Sequence, residues 1–473
     1  MTVAPATELW RMSATELADL IRSTQASSQE VIQAHLRRIE EINPSMNAVV
    51  IVMGEQALLA AKAADRVVAG GVDLPPLHGV PFTVKQNIDV AGTPTTQGLK
   101  ALSNAYPIRD APVVERLKAA GAIPIGRTNM PSGALRWHCE SELWGTTLNP
   151  WDKSRTAGAS SAGEAAAIAT GMSPLGLGSD GLGSLRHPAQ CCGVNALKPT
   201  LGRIPQASSI EPGDVAPIGI QLTSVTGPLA RRVADLRAAF DVIAGPTWRD
   251  PWTVPAPLRG PELAEPIRVA VVFDPAGQGT AGQVQDGVRK AAHALEDAGY
   301  IVDEVEPPGI DAAANALLVM LSTPGTRAGW DELYGPLMPD PARRFMSAFF
   351  EATGQPDSVA AERAFVTRQA LLRAWGEFQE THALIVAPIA TDIPALAGTD
   401  LDEGRVAETI RTMRMATAVN ALGLPAVALP VGIAEGLPQS VQVIGRRYRE
   451  DLCLDAAQAI EEQLGVLTPI DPR

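Results

Sequence analysis

Residues 158–203, GASSAGEAAAIATGMSPLGLGSDGLGSLRHPAQCCGVNALKPTLGR, hold the key to the chain. Within 158–202 there are nine glycines and five serines, and no Phe, Trp or Tyr occurs between Trp151 and Phe240. Glycines at this density let backbones approach one another or a ligand closely. A flexible linker has the same glycines, but it lacks the helix-forming run EAAAIAT at 164–170 and the core-like spacing of Leu175, Leu177, Val194 and Leu197. The stretch is therefore read as folded. It presents two serine sites, Gly158-Ala-Ser160-Ser161-Ala-Gly163 and Asp180-Gly-Leu-Gly-Ser184. Small residues leading into a serine turn successive backbone N–H groups toward one point, as an oxyanion requires. They also make ordinary tight turns, and the residues alone leave both readings open.

Outward from this centre the pattern alternates. Upstream, 79–84 (GVPFTV) is short and β-rich and delivers Lys85 at its end. Before it, Ser13-x-x-Glu16 and Ser27-x-x-Glu30 are capping boxes that open two amphipathic helices, the second stopped by Asn43-Pro44. Further helices are expected at 56–69 and 112–120, and a strand at 122–125. Downstream the pattern predicts strand, helix, strand at 267–272, 284–298 and 300–305, then a helical region to about residue 380. Strands at 383–387, 426–429 and 441–444 and a closing helix at 452–464 follow. The uncharged run 415–434 is long enough for a membrane span. Its Asn420, Pro425, Pro430, Gly423 and Gly432 fit a buried strand-turn-strand instead. Strands alternating with helices predict an α/β sheet with helices on both faces.

The 473 residues are 46% hydrophobic and 19% charged, so the chain buries a large core, and length alone suggests roughly three domains of ~150 residues. Acidic residues outnumber basic ones 52 to 39, a net charge of −13 that argues against nucleic acid or anionic membrane as partner. Four cysteines, Cys139, Cys191, Cys192 and Cys453, form no C-x-x-C pair, and the N-terminal twenty residues show no basic stretch followed by an apolar one. Free thiols and a cytoplasmic location are the expectation. Only seven of the basic residues are lysines. Arginine does not lose its proton in a protein, whereas a buried lysine does.

No phosphate-binding loop, H-E-x-x-H or G-x-S-x-G motif is present, and the six histidines are scattered. His35 and His293 fall inside predicted helices. A Ser-His-Asp hydrolase and a zinc enzyme are both poorly supported, and neither metal nor cofactor is expected. What remains is the two serine sites and one lysine on a strand. Serine needs a base to take its proton, and a buried lysine with a lowered pKa is able to serve.

The central stretch closely resembles the signature of the amidase signature family. GVPFTVKQNIDVAGTPTT (79–96), GRTNMPSGA (126–134), WGTTLNPWD (144–152), NALGLPAVALPVG (420–432) and GLPQSVQVIG (436–445) are similar to further family segments. The spacing, 75 residues from Lys85 to Ser160 and 24 from Ser160 to Ser184, is the family's. The resemblance implies one α/β/α domain over 1–473, built on a central mixed sheet. Its signature core would span 79–205 and a divergent pocket region about 206–380. It implies that Lys85 is the base, Ser160 a bridging serine after a cis Ala159–Ser160 bond, and Ser184 the nucleophile. Backbone N–H groups of Gly181, Leu182, Gly183 and Ser184 would hold the oxyanion. Asp180, Arg186 and Ser161 would support the site, and Lys198 would be structural.

This chain departs from the family pattern at Ala159, Ala162 and Leu182, where glycine is usual, and Leu182 puts the shape of the oxyanion turn in question. Met130, Trp137, Trp144, Leu317, Met320, Phe345 and Phe349 are apolar candidates for the substrate pocket. Such a pocket suits a small neutral or aromatic amide, anilide or carbamate, with esters as a side activity, in a monomer or homodimer. The chain looks closest to bacterial aryl-acylamidases and urethane-cleaving amidases. Two alternatives stand beside this reading. One is the glutamine-hydrolysing subunit of a tRNA-dependent amidotransferase, which usually continues with G-R-V-S-R-Y-G where this chain has Gly202-RIPQAS. The other is a catalytically silent binding member, against which the retention of Lys85, Ser160 and Ser184 argues.

Overall fold

The computed structural model describes residues 8–210 and 216–473. Residues 1–7, part of the segment read for a targeting signal, and 211–215 lie outside the described residues. Both capping boxes form. Ser13 Oγ accepts from the Glu16 N–H while Glu16 accepts from the Ser13 N–H at 2.8 Å, and Ser27 and Glu30 repeat the exchange. They open helices Ala14–Arg22 and Ser28–Met46. The second helix passes the expected stop and carries Pro44 in its last turn. It ends instead at Asn47, whose left-handed φ of 51° suits asparagine. The Asn43 side chain then accepts from the N–H groups of Ala48 and Val49 and starts the first strand.

Thirteen strands follow among the described residues. They are β1 (Val49–Val52), β2 (Pro81–Lys85), β3 (Ile123–Thr128), β4 (Glu140–Ser141), β5 (Gly145–Thr146), β6 (Leu175–Asp180) and β7 (Asn195–Lys198). The others are β8 (Val225–Ala230), β9 (Arg268–Val271), β10 (Ile301–Glu304), β11 (Leu384–Ala387), β12 (Ala426–Ala434) and β13 (Leu437–Gly445). β4 and β5 pair only with each other, and the other eleven form one sheet in the order β1-β3-β2-β6-β8-β7-β12-β13-β11-β9-β10. β2 runs parallel to β3 and β6, and β9 parallel to β10 and β11; the other pairs are antiparallel, so the sheet is mixed. One sheet thus gathers strands from both ends of the chain, and the division into three domains suggested by length does not hold.

Alternate residues of each strand feed two apolar layers. Val84, Leu175, Leu177, Val269, Leu384 and Val443 face one layer, while Ala270, Ile385 and Ile444 face the other. Helices Val233–Ile243, Gly282–Asp297 and Glu450–Leu464 contribute to the first, and Ile310–Met320 and Arg414–Leu422 to the second. The result is the expected α/β/α arrangement. In β6, LGLGSD, the leucines pack on one face while the glycines admit close neighbours. A Cβ at Gly176 would collide with Glu164 Oε2, and one at Gly178 with Ser161 Oγ and Leu185. That is why the centre of the chain is rich in glycine yet well ordered.

The run 415–434 differs from expectation. Its first half is helix Arg414–Leu422, every residue of which is buried, closed by Gly423 at φ 60°; only Ala426–Ala434 is strand. Arg414, Thr417 and Asn420 do recur at helical spacing along it, but they are few and all buried, and the continuous apolar run around them reads equally as strand. Among the described residues no helix is long and apolar enough to cross a membrane.

Candidate active site

β2 ends by carrying Lys85 into the interior, where it is fully buried. Its Nζ lies 2.7 Å from Ser160 Oγ, 3.0 Å from Ser161 Oγ and 2.9 Å from Ser179 Oγ. Burial pushes the amine down to about 7, against the pull of Asp180, Cys139 and Glu164, which favour its charged form. Ser160 and Ser161 lie just before helix Ala162–Ala169, and the Ala159–Ser160 bond is cis, as the resemblance implies. Ser161 is more than a turn residue. Besides touching Lys85, it donates from Oγ to the Ser179 carbonyl at 3.2 Å and from N–H to the Ser184 carbonyl at 3.2 Å.

Ser184 stands in the turn between β6 and helix Arg186–Cys192 and is partly exposed. Among the described residues its hydroxyl makes no hydrogen bond. The structure therefore contains the Lys85–Ser160 contact but no hydrogen bond joining Ser160 Oγ to Ser184 Oγ. The turn is braced from below. The Asp180 carboxylate accepts from the N–H groups of Gly183 (2.7 Å), Leu185 (3.1 Å) and Arg186 (3.4 Å), and from Arg186 Nε at 3.0 Å. Arg186 also donates to Asn420 Oδ1 (2.5 Å) and Gln442 Oε1 (2.8 Å). Burial alone would raise Asp180; the Arg186 guanidinium, helped by Lys198 and Asn420, overrides it and holds the carboxyl well below the usual range.

This bracing corrects one expectation. The Gly183 N–H points to Asp180 and, at 3.2 Å, to Asn420 Oδ1, so it is not offered to a ligand. The N–H groups of Leu182 and Ser184 have no protein acceptor among the described residues. The question raised by Leu182 also resolves: it is not among the residues with positive φ, and the left-handed position of the turn is Gly183 at φ 93°. Glycine is retained where the backbone demands it, and a Cβ there would also strike Met413 Cε. Ala159 and Ala162 likewise avoid positive φ.

A cavity of about 270 Å³ is lined by Trp137, His138, His187, Met413, Arg155 and Asp400 among others. None of Lys85, Ser160 and Ser184 lines it. Of the expected pocket residues only Trp137 does. Met130, Leu317 and Met320 are fully buried and Trp144 is half-buried, and none of the four reaches the cavity. Leu317 and Met320 fill the core around helix Ile310–Met320, whose apolar faces the sequence does not distinguish. Trp137, Phe345 and Phe349 form one apolar cluster with Leu317, and Leu182 packs against it beside the nucleophile turn. The Trp137 and Phe345 rings meet edge to face at 5.3 Å.

Sequence reasoning missed several members. Ser179 touches Lys85 and accepts from Asn87 Nδ2 at 3.0 Å; its signal was its place next to Asp180. His187 Nδ1 accepts from the Ala159 N–H at 3.4 Å and, pushed down to about 4 by burial, stays neutral. Asn420 was visible as the polar interruption of an apolar run. Glu164 is fully buried and accepts from Thr83 and Thr128, the neighbours of Lys85 on β2 and β3. Lys198, expected to be structural, is buried with its Nζ 2.9 Å from the Pro199 carbonyl. Among the described residues no cluster of His, Cys, Asp or Glu is placed to hold a metal ion.

A buried lysine among serine hydroxyls, beside a glycine turn presenting a further serine, defines the class of amide hydrolases that dispense with histidine. The chain belongs to the amidase family, whose model, described as Amidase, matches residues 30–454. It is 40% identical to an indoleacetamide hydrolase of Bradyrhizobium diazoefficiens, over 98% of this chain and 88% of that one. It is 32% identical to a glutamyl-tRNA(Gln) amidotransferase subunit of Symbiobacterium thermophilum, over 95% and 96%. Among solved structures it resembles a bacterial aryl acylamidase of the amidase signature family, with a TM-score of 0.81, 25% identity, and coverage of 95% of this chain and 96% of that one. The protein is an amidase-family amide hydrolase.

Proposed function

We propose that the protein hydrolyses small neutral aromatic amides, with aryl-substituted acetamides foremost and anilides and carbamates as further substrates, through an acyl-enzyme on Ser184. The observation that carries this reading is the 2.7 Å contact between the buried Lys85 amine and Ser160 Oγ. Neutral Lys85 draws a proton through Ser160 as Ser184 Oγ attacks the carbonyl carbon, and the carbonyl oxygen becomes an oxyanion facing the N–H groups of Leu182 and Ser184. The same relay returns the proton to the departing nitrogen, and the C–N bond breaks. Water then attacks the acyl ester, giving its proton to the relay, and Ser184 leaves with a proton restored.

The substrate class rests on the apolar cluster of Trp137, Phe345 and Leu182 beside the turn, and on likeness to an indoleacetamide hydrolase and an aryl acylamidase. A neutral small molecule is the whole partner: no nucleic acid, membrane or cofactor enters the reaction, and a monomer or homodimer suffices. The test is release of ammonia or amine by the purified chain from aryl acetamides, anilides, carbamates, aliphatic amides and glutamine, with Ser184→Ala as control. Aryl acetamides should lead. A preference for glutamine would replace this reading with the amidotransferase one.

A further inference from the structure

Glu164 is a carboxyl group at the centre of this site that the mechanism above does not use. It is fully buried, and among the described residues no Lys or Arg forms an ion pair with it. Thr83 Oγ1 donates to one of its oxygens at 2.6 Å and Thr128 Oγ1 to the other at 2.7 Å. Both threonines flank Lys85. Thr83 precedes it by two residues on the same face of β2, and Thr128 is its register partner on β3. The helix bearing Glu164 begins directly after Ser160 and Ser161. The carboxyl is therefore clamped between the lysine's strands and the helix that follows the serine loop.

The charged groups around the pair are few. Arg127, on β3, is committed elsewhere, donating to the carbonyls of Val84, Lys85, Ile88 and Pro94 and to the Thr93 hydroxyl. Asp180, at the end of β6, is occupied by Arg186. The Cys139 thiol, pushed up to about 11 by burial, stays neutral.

We propose that Glu164 and Lys85 share one proton, which makes Glu164 the positioning residue that decides when the Lys85 amine is free. The proposal rests on the reading of Lys85 as the base. At low pH the pair holds ammonium and carboxylic acid. With one proton lost, two arrangements carry the same net charge: amine with acid, or ammonium with carboxylate. Only the first offers a base. A second loss leaves amine with carboxylate. Burial raises Glu164 to about 8 and lowers Lys85 to about 7, and the charge of each pulls the other back. Groups so matched titrate in two steps that belong to the pair, so the amine becomes free over a wider pH range than one ionisation spans.

The shortage of lysine makes the test practicable. With seven lysines in the chain, ¹³Cε-lysine labelling gives few NMR signals, and Lys85 is identified by the one lost in Lys85→Met. Its titration is followed in the full-length parent, in Glu164→Gln, and in Thr128→Val, which removes one donor to the carboxylate and so favours the acid. The parent curve should be broader than a single ionisation. In Glu164→Gln it should narrow to one step with a midpoint about one unit lower, the low end for loss of a nearby opposite charge. Thr128→Val should shift it the same way by less. A Lys85 curve in Glu164→Gln that superimposes on the parent overturns the proposal, as does one in Thr128→Val should the glutamine variant not fold. The acid limb of kcat/KM, recorded on the same proteins, should move with the Lys85 midpoint while KM holds. If Lys85 shifts and that limb does not, the shared proton stands and the reading of Lys85 as the base fails.

Discussion

Replacing Asp180 by asparagine should unsettle the nucleophile turn in a measurable way. The carboxylate takes hydrogen bonds from three backbone N–H groups and from Arg186, all within a fully buried pocket. Asparagine keeps one oxygen and turns an NH₂ group toward donors, so at least one of those N–H groups loses its acceptor and Arg186 loses its counter-charge. Breaking a buried ion pair by removing one partner costs roughly 3–5 kcal/mol. At ~2.1 cal/mol/K per residue, a chain of 473 residues has an unfolding entropy of about 1 kcal/mol/K, so a loss of ~4 kcal/mol should lower Tm by about 4 °C. Because Gly183 and Ser184 ride on the same turn, kcat should fall by about 10²-fold, the effect expected of an ångström-scale misplacement. Thermal unfolding by circular dichroism and steady-state hydrolysis of an aryl acetamide read the two effects. A variant that melts within about 1 °C of the parent and keeps its kcat would refute the claim that Asp180 and Arg186 brace this turn.

Other outcomes follow from the same geometry. Ser184→Ala should abolish turnover while leaving Tm unchanged, since its hydroxyl makes no hydrogen bond within the described protein; retained activity sinks the nucleophile assignment. Lys85→Ala should lower kcat by ~10²–10⁴-fold, the usual worth of a general base. Because the active amine is the deprotonated form and burial has lowered it to about 7, kcat/KM should climb as pH rises through that region. A profile flat from about pH 6 to 9 counts against a lysine base when chemistry limits the rate. Trp137→Ala, opening the apolar cluster against which Leu182 packs, should raise KM for an aryl acetamide by about tenfold, or 1.4 kcal/mol, with little change for acetamide itself. Equal losses on both substrates would deny Trp137 a part in aryl recognition.

Much of this was legible in the sequence because the signals were local. Each capping box is complete within four residues, and the short β-rich run before Lys85 announced β2. The glycines of β6 marked close approach before the approaching groups, Glu164 and Ser161, were known. What stayed hidden depended on distance or on complete burial. Helix Arg414–Leu422 carries only a thin, wholly buried polar line, Arg414, Thr417 and Asn420, so its residues pass for a strand. Leu317 and Met320 are as apolar and as buried as Trp137, and only Trp137 also reaches the cavity, a difference set by distant neighbours. Pro44 reads as a stop because proline ordinarily breaks a helix beyond its first turn, yet this helix runs on to Met46. Glu164 reads merely as part of a helix-forming run, since nothing local reveals that Thr83 and Thr128 close around it.

The partners of Arg186 carry a consequence for how the protein comes to life. Its guanidinium reaches Asn420, 234 residues further on, and Gln442, 256 residues further on. Lys85, Ser160 and Ser184 have all left the ribosome long before either partner is made. The support of the nucleophile turn is completed only when β13 takes its place beside β12. A nascent or C-terminally clipped chain therefore holds every reacting group without the frame that aims them, and hydrolytic power arrives with the last segment of the sequence.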